Sequence, residues 1–195
     1  MQADELLDLV QQVKAGDTRE FLELVEPFFL HLKRLSRSML PNAADSEEVV
    51  QETILKALQH IDQLREAHCF KGWLFQIAVN EARLRIRGNR RSGTESEAEL
   101  PDEAEDSGST NALDRITDKG ALPLEIVERK ELWVAARRSI HALKPRYREV
   151  FVLRDLQGLG VRETAMILSI SEASVHTRLH RARRHMRKLM EPHFQ

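Results

Sequence analysis

The strongest constraint on the fold lies between Arg154 and Lys188, in the run RDLQGLGVRETAMILSISEASVHTRLHRARRHMRK. Gly158 and Gly160 lead into it, and Val161, Ala165 and Leu168 recur at helical spacing, which gives a first short helix one apolar face. Ser169-Ile170-Ser171 follows as a turn with one apolar plug. Ser171 is a good N-cap for what comes next, because its hydroxyl can accept from an orphan backbone N–H. The second helix repeats Val175, Leu179, Ala182 and Met186 along one stripe. At about 100° per residue, Ala173, Thr177, His180, Arg181 and Arg184 then fall on the opposite face. One side packs, and the other offers small polar groups first and cations later. That order suits a helix whose first residues enter a major groove while later arginines sit on phosphates. A solvated surface helix is the plainer alternative. Against it, six cations stand between Arg178 and Lys188 with no acid among them, whereas salt-bridged surface helices mix signs.

The net charge of −1 argues by itself against a nucleic-acid binder, but its distribution reverses that argument. Arg83 to Arg91 holds five arginines and no acid, and Ser92 to Gly120 holds nine acids against Arg115 and Lys119. Two basic stretches separated by an acidic one are hidden in a neutral total. Aromatic residues make up only 5% of the 195, and Leu, Ala, Glu and Arg dominate without strand-like alternation, so an all-α protein is expected. The single cysteine, Cys69, excludes an internal disulfide and fits a reducing compartment. No apolar run reaches the roughly 18 residues of a membrane span, and the N-terminus MQADELLDLV is acidic where a signal peptide would be basic. These features point to a soluble cytoplasmic protein with no membrane contact of its own.

Helices are predicted over Glu5–Ala15, Arg19–Met39 with a kink at Pro27, Asp45–Ile61 and Phe70–Arg87. Asp45 and Glu48 give the third helix a capping-box-like start. Its buried stripe is Val50, Ile54, Ala57 and Ile61, and its far side carries Glu48, Glu52, Leu55 and Gln59 with Gln51 at the margin. That acidic face is either a solvated surface with one stray leucine or a docking surface. The fourth helix is apolar on two sides, Trp73, Ile77 and Leu84 against Phe75, Val79, Ala82 and Ile86. Such a helix is sandwiched in a core or lends one side to a partner. Asn80 falls in the Trp73 stripe, where a buried amide must be either structural or a ligand holder. The loop before it, Asp62 to Lys71, is polar with one aromatic beside a basic helix, a composition able to hold an extruded base. Residues 92–123 have the composition of a flexible acidic linker, which puts a domain boundary there. Helices resume over Leu124–Leu143 and Arg146–Leu156.

Three segments together carry a family resemblance: ADSEEVVQETILKAL, FKGWLFQIAVNEARLRIRGNRR and LKPRYREVFVLRDLQGLGVRETAMILSISEASVHTRLHRARRHMRK. In this order and spacing the chain resembles a bacterial sigma factor of the extracytoplasmic-function group of the sigma-70 family. The resemblance covers nearly everything outside the linker. It implies two small helical domains, a region 2 bundle over 1–91 and a region 4 helix-turn-helix domain over 124–195, joined by the flexible acidic linker. It also implies core RNA polymerase, promoter DNA and an anti-sigma factor as partners, with no cofactor, no metal and no catalysis. Glu48, Gln51, Glu52 and Leu55 match the segment that docks on polymerase. Arg65, His68, Phe70 and Lys71 match the loop that captures a flipped base. Asn80, Arg83, Arg87, Arg90 and Arg91 match positions around the −10 opening. Ala173, Ser174, His176, Thr177, Arg178, Arg181 and Arg184 lie on the −35-reading helix. Two positions depart from the common pattern: Leu84 stands where many members have Asp, and His176 where many have Lys. Both bear on the promoter sequence read.

Two other classes are weighed against this one. An ordinary helix-turn-helix regulator binds a palindrome as a dimer and carries a receiver or ligand domain before the motif. Here the N-terminal half is small, helical and has its own basic segment. A metal-dependent or hydrolytic enzyme is suggested by His176 and His180, four apart on one helix, and by Cys69 beside His68. Arginines surround the histidines, no nearby carboxylate or cysteine completes a site, and no Gly-rich phosphate loop is present.

Overall fold

The computed structural model describes residues 3–91 and 123–193, with side chains over 5–89 and 132–193. Four helices build the N-terminal unit: α1 (Ala3–Lys14), α2 (Glu20–Met39), α3 (Ala43–Gln59) and α4 (Phe70–Arg91). Four build the C-terminal unit: α5 (Pro123–Ala142), α6 (Pro145–Phe151), α7 (Val161–Leu168) and α8 (Glu172–Met190). The described residues contain no strand. Of the predicted linker, only Pro123 is described, and it starts α5; residues 92–122 lie outside the described residues.

In the first unit α3 packs against both α2 and α4, and α1 covers α2. Phe70, Leu74, Phe75, Ala78, Val79 and Ala82 of α4 are fully buried, so α4 is the helix around which this core closes. Of the two apolar sides read for it, one is core. The other is half-buried at Trp73 and Ile77 and open at Leu84. The α2 helix continues through Pro27. Pro27 and Glu23 are both exposed, so the carbonyl that loses its helical donor can bond to water instead. The α3 start differs from the predicted capping box. Asn42 is the N-cap, its side chain accepting from the Ala44 N–H at 2.9 Å. Asp45 and Glu48 are instead drawn to Arg85 of α4. A carboxylate can cap only if nothing stronger competes, and a guanidinium is stronger.

In the second unit Tyr147, Val150, Phe151 and Leu153 are buried as the periodicity predicts. The predicted helix 146–156 is not α throughout. It passes into a π-helical turn at Val152–Leu156, which ends as Gly158 takes φ +67°. Glycine accepts that conformation without the Cβ clash that other residues meet. The two units touch: α7 lies against α4, and both α5 and the π-turn lie against α2.

Candidate nucleic-acid interface

The turn between α7 and α8 hangs on Ser169, which sits at φ 57°, ψ 46° in the left-handed region. Its N–H and that of Ile170 reach back to the Met166 and Ala165 carbonyls at 3.2 and 3.0 Å, satisfying the end of α7. Ser171 then caps α8 as its sequence suggests, accepting the Ser174 N–H at 3.2 Å. Val175, Leu179, Ala182 and Met186 are all buried, which fixes the rotation of α8. The opposite face is thereby set outward: Ala173, His176, Thr177, His180 and Arg184 are exposed, and Ser174, Arg178 and Arg181 are half-buried. Arg183, off this face, is held by Asp155 through two bonds of 2.8 and 2.6 Å.

Beside this face is a concavity of about 290 Å³, lined by Ala173, Ser174, Thr177, Arg178 and Arg181 together with Arg146 and Tyr147 of α6. The Tyr147 ring is buried, stacked on His185 at 5.7 Å, and its hydroxyl accepts from Arg146 at 3.1 Å and from Arg181 at 3.5 Å. The Arg146 guanidinium also lies over that ring, 4.8 Å from its centre. Three guanidinium groups around one hollow favour an anion with several acceptor oxygens, and a duplex phosphate has that chemistry. Sequence reasoning missed Arg146, which precedes Ala173 by a whole helix-turn-helix and shares no periodicity with it. One signal was available. A cation in the first turn of a helix opposes the helix dipole, so Arg146 is placed there at a cost.

The N-terminal candidates are arranged differently. Arg65 and His68 are exposed on the loop between α3 and α4, and His68 meets Glu66 at 3.3 Å. Lys71 is half-buried, 6.0 Å from the Phe75 ring. Phe70 corrects its assignment as a DNA contact. It is fully buried, with its ring 5.6 Å from Phe28 and 6.0 Å from Trp73. As the first residue of α4 it is the plug that closes the loop onto the core, so it offers no face to a base. Asn80 is also corrected: it is exposed, not buried. With Leu84 and Arg87, both exposed, it forms one outward stripe at helical spacing. Arg83, one step around, is turned away from that stripe. Its Nε and Nη2 donate to both carboxylate oxygens of Glu149, each at 2.7 Å, and this pairing raises its pKa further. The side chains of Arg90 and Arg91 lie outside the described residues.

On α3, Glu48, Gln51, Glu52 and Leu55 form an exposed face, with Leu55 51% accessible. Glu48 is tied at its edge by Arg85, and Lys56 is drawn to Glu81 at 2.7 Å. The grouping of metal-type donors among the described residues is Glu66, His68 and Cys69, within 4.8 Å of one another and all exposed. His176 and His180 are not joined there by a third donor.

Comparison with known proteins follows the same division. The family model described as Sigma-70 region 2 matches residues 24–92, and that described as Sigma-70, region 4 matches residues 133–186. The ECF RNA polymerase sigma factor SigW of Bacillus subtilis is 31% identical over 92% of this chain and 93% of its own length. The ECF RNA polymerase sigma-E factor of Escherichia coli K12 is 31% identical over 94% of this chain and 93% of its own length. Among solved structures, CnrH in complex with the cytosolic domain of CnrY superposes with a TM-score of 0.67 at 25% identity, covering 98% of this chain and 99% of that one. The Bartonella quintana sigma factor RpoE, solved with the anti-sigma factor NepR, has the same fold, with a TM-score of 0.66 at 20% identity over 89% and 98% of the two chains.

Proposed function

The chain belongs to the ECF RNA polymerase sigma factors, and from that premise we propose how its surfaces divide the work of promoter recognition. It is an alternative sigma factor: it binds core RNA polymerase, directs it to promoters through −35 and −10 elements, and helps open the −10 region. It works by binding, in the cytoplasm where transcription takes place. No helix among the described residues is long and apolar enough to cross a membrane.

Residues 1–91 dock on polymerase and handle the −10 element, residues 124–195 read the −35 element, and 92–123 link the two. The face Glu48, Gln51, Glu52 and Leu55 meets the polymerase, where exposed acids and one leucine fit a basic surface with an apolar seat. On the −35 side Ala173, Ser174, His176 and Thr177 enter the major groove, where base edges carry a distinct code. Arg178, Arg181, Arg184 and Arg146 hold phosphates around them. The exposed face of α8 beside its three-arginine hollow is the observation that carries this reading.

On the −10 side, Asn80, Arg83, Arg87, Arg90 and Arg91 follow the strand. Arg65, His68 and Lys71 frame the extruded base. With Phe70 withdrawn into the core, the His68 ring is the flat surface on that loop against which a base can stack. One stacked base is worth roughly 1–3 kcal/mol, which helps offset local melting. CnrH and the Bartonella RpoE were each solved with a protein partner, and we assign this chain an anti-sigma factor that holds it inactive until a signal arrives.

Run-off transcription with core polymerase tests the division of labour. Arg181→Ala is expected to weaken −35-dependent initiation about equally across promoter sequences, with the salt slope reduced by about 1, while leaving core binding intact. Glu52→Ala is expected to do the reverse in a core pull-down. The same step failing in both variants would overturn the assignment.

A further inference from the structure

Among the described residues, polar contacts cross between the two units at several points. Arg83 of α4 clasps Glu149 of α6 through both carboxylate oxygens at 2.7 Å. His31 of α2 shares a hydrogen bond of 2.9 Å with the Gln157 side chain after the π-turn. Arg148 donates to the Met39 carbonyl at the end of α2 at 2.9 Å, and from the same guanidinium to the Ile140 carbonyl at 3.1 Å. Glu149 is 6% exposed and flanked in sequence by the core residue Val150, so its charge is held away from water. A buried carboxylate needs a counter-charge, and Arg83 supplies it from the other unit. The same Arg83 is the cation assigned above to the −10 strand. A guanidinium presents a fixed fork, and the edge formed by Nε and Nη2 cannot clasp a carboxylate and a phosphate together.

We propose that the Arg83–Glu149 pair is an intramolecular latch: it holds the two units closed and withholds Arg83 from the −10 strand until the units part. This rests on the reading of Arg83 as a −10 contact. The latch is reversible by construction. Once the units separate, Glu149 is hydrated and no longer needs its partner, and Arg83 turns to phosphate. The polymerase face on α3 remains exposed in the closed arrangement, so docking on polymerase can precede opening. The −35 face of α8 is likewise open. The closed chain therefore withholds Arg83 specifically, while Asn80, Arg87, Arg65 and His68 stay exposed.

The test uses the full chain with Cys69→Ser and a dye pair at Glu26→Cys and Glu191→Cys, both exposed positions, one in each unit. Energy transfer reads the closed fraction without any DNA. Glu149→Gln keeps the shape and removes the charge, and it is expected to shift the closed-to-open ratio by roughly tenfold, between the values for exposed and buried pairs. The same variant is expected to bind a labelled oligothymidylate strand several-fold more tightly. The exchanged pair, Arg83→Glu with Glu149→Arg, is expected to restore closure but not strand binding, which separates a latch from a folding defect. Unchanged transfer in Glu149→Gln, or opening with no gain in strand binding, overturns the proposal. The −10 assignment of Arg83 is tested apart from it, by Arg83→Ala holoenzyme on a forked template. No loss there removes that assignment whatever the transfer signal shows.

Discussion

Around α8, two of the cations assigned to DNA line one open hollow; along α4, one of the two arginines assigned to DNA whose side chains are described is clasped by a carboxylate of the other unit. Arg178 and Arg181 line an open concavity with Arg146, while Arg83 is clasped by Glu149. Arg85, next to it in the same basic run, is held by Asp45 and Glu48. The aromatic assigned to the flipped base is core. On the proposed assignments, the −35 hollow is built in advance, whereas Arg83 on the −10 side has to be released. This matches the physical demands of the two tasks. Duplex DNA presents its groove ready-made, so a rigid reader loses little on binding. A melted strand exists only after work has been done, and a reader open beforehand would meet wrong single strands.

The largest effect that tests this contrast is expected at Phe70. Phe70→Ala removes a fully buried ring and should destabilise the N-terminal unit by about 3–5 kcal/mol in chemical denaturation. Unchanged stability with a specific loss of strand opening would instead return Phe70 to the DNA. The next concerns His141, where α5 meets α2. Its pKa is lowered from 6.5 to about 4, by burial above all and then by the charge of Arg148. The folded side chain refuses a proton that the unfolded chain accepts below about 6.5. Its contribution to stability is therefore complete above that pH and is lost as pH falls from about 6.5 toward 4. Melting followed from pH 7.5 to 5 should weaken the C-terminal unit first, and His141→Gln should flatten the slope.

A smaller effect is expected at Arg146. Arg146→Ala should weaken −35 duplex binding about equally for all sequences and reduce the salt slope by about 1. A change in sequence preference would make Arg146 a base reader. The smallest concerns the turn. Ser169→Gly relieves a left-handed residue and should stabilise the C-terminal unit by up to about 1 kcal/mol, read as a small rise in melting temperature, with −35 affinity unchanged.

Much of this molecule was legible along the chain because its signals are local. The stripe of Val175, Leu179, Ala182 and Met186 fixed which side of α8 would face out, and Ser171 marked where that helix starts. Helical periodicity and capping act within a few residues, so one sequence suffices to read them. The exposed α3 face of Glu48, Gln51, Glu52 and Leu55 was found in the same way. Asn80 was misread because a helix with two apolar sides gives no local sign of which side the core will take.

The sequence by itself therefore determined the helices, their outward faces, the helix-turn-helix and the two separate basic stretches. Tertiary structure alone decided that Phe70 is a plug, that Arg146 joins Arg178 and Arg181, and that Arg83 finds Glu149 66 residues away. The reason is range. A charge or a ring at one position is compatible with many partners, and the partner is chosen only when distant helices pack and bury the alternatives.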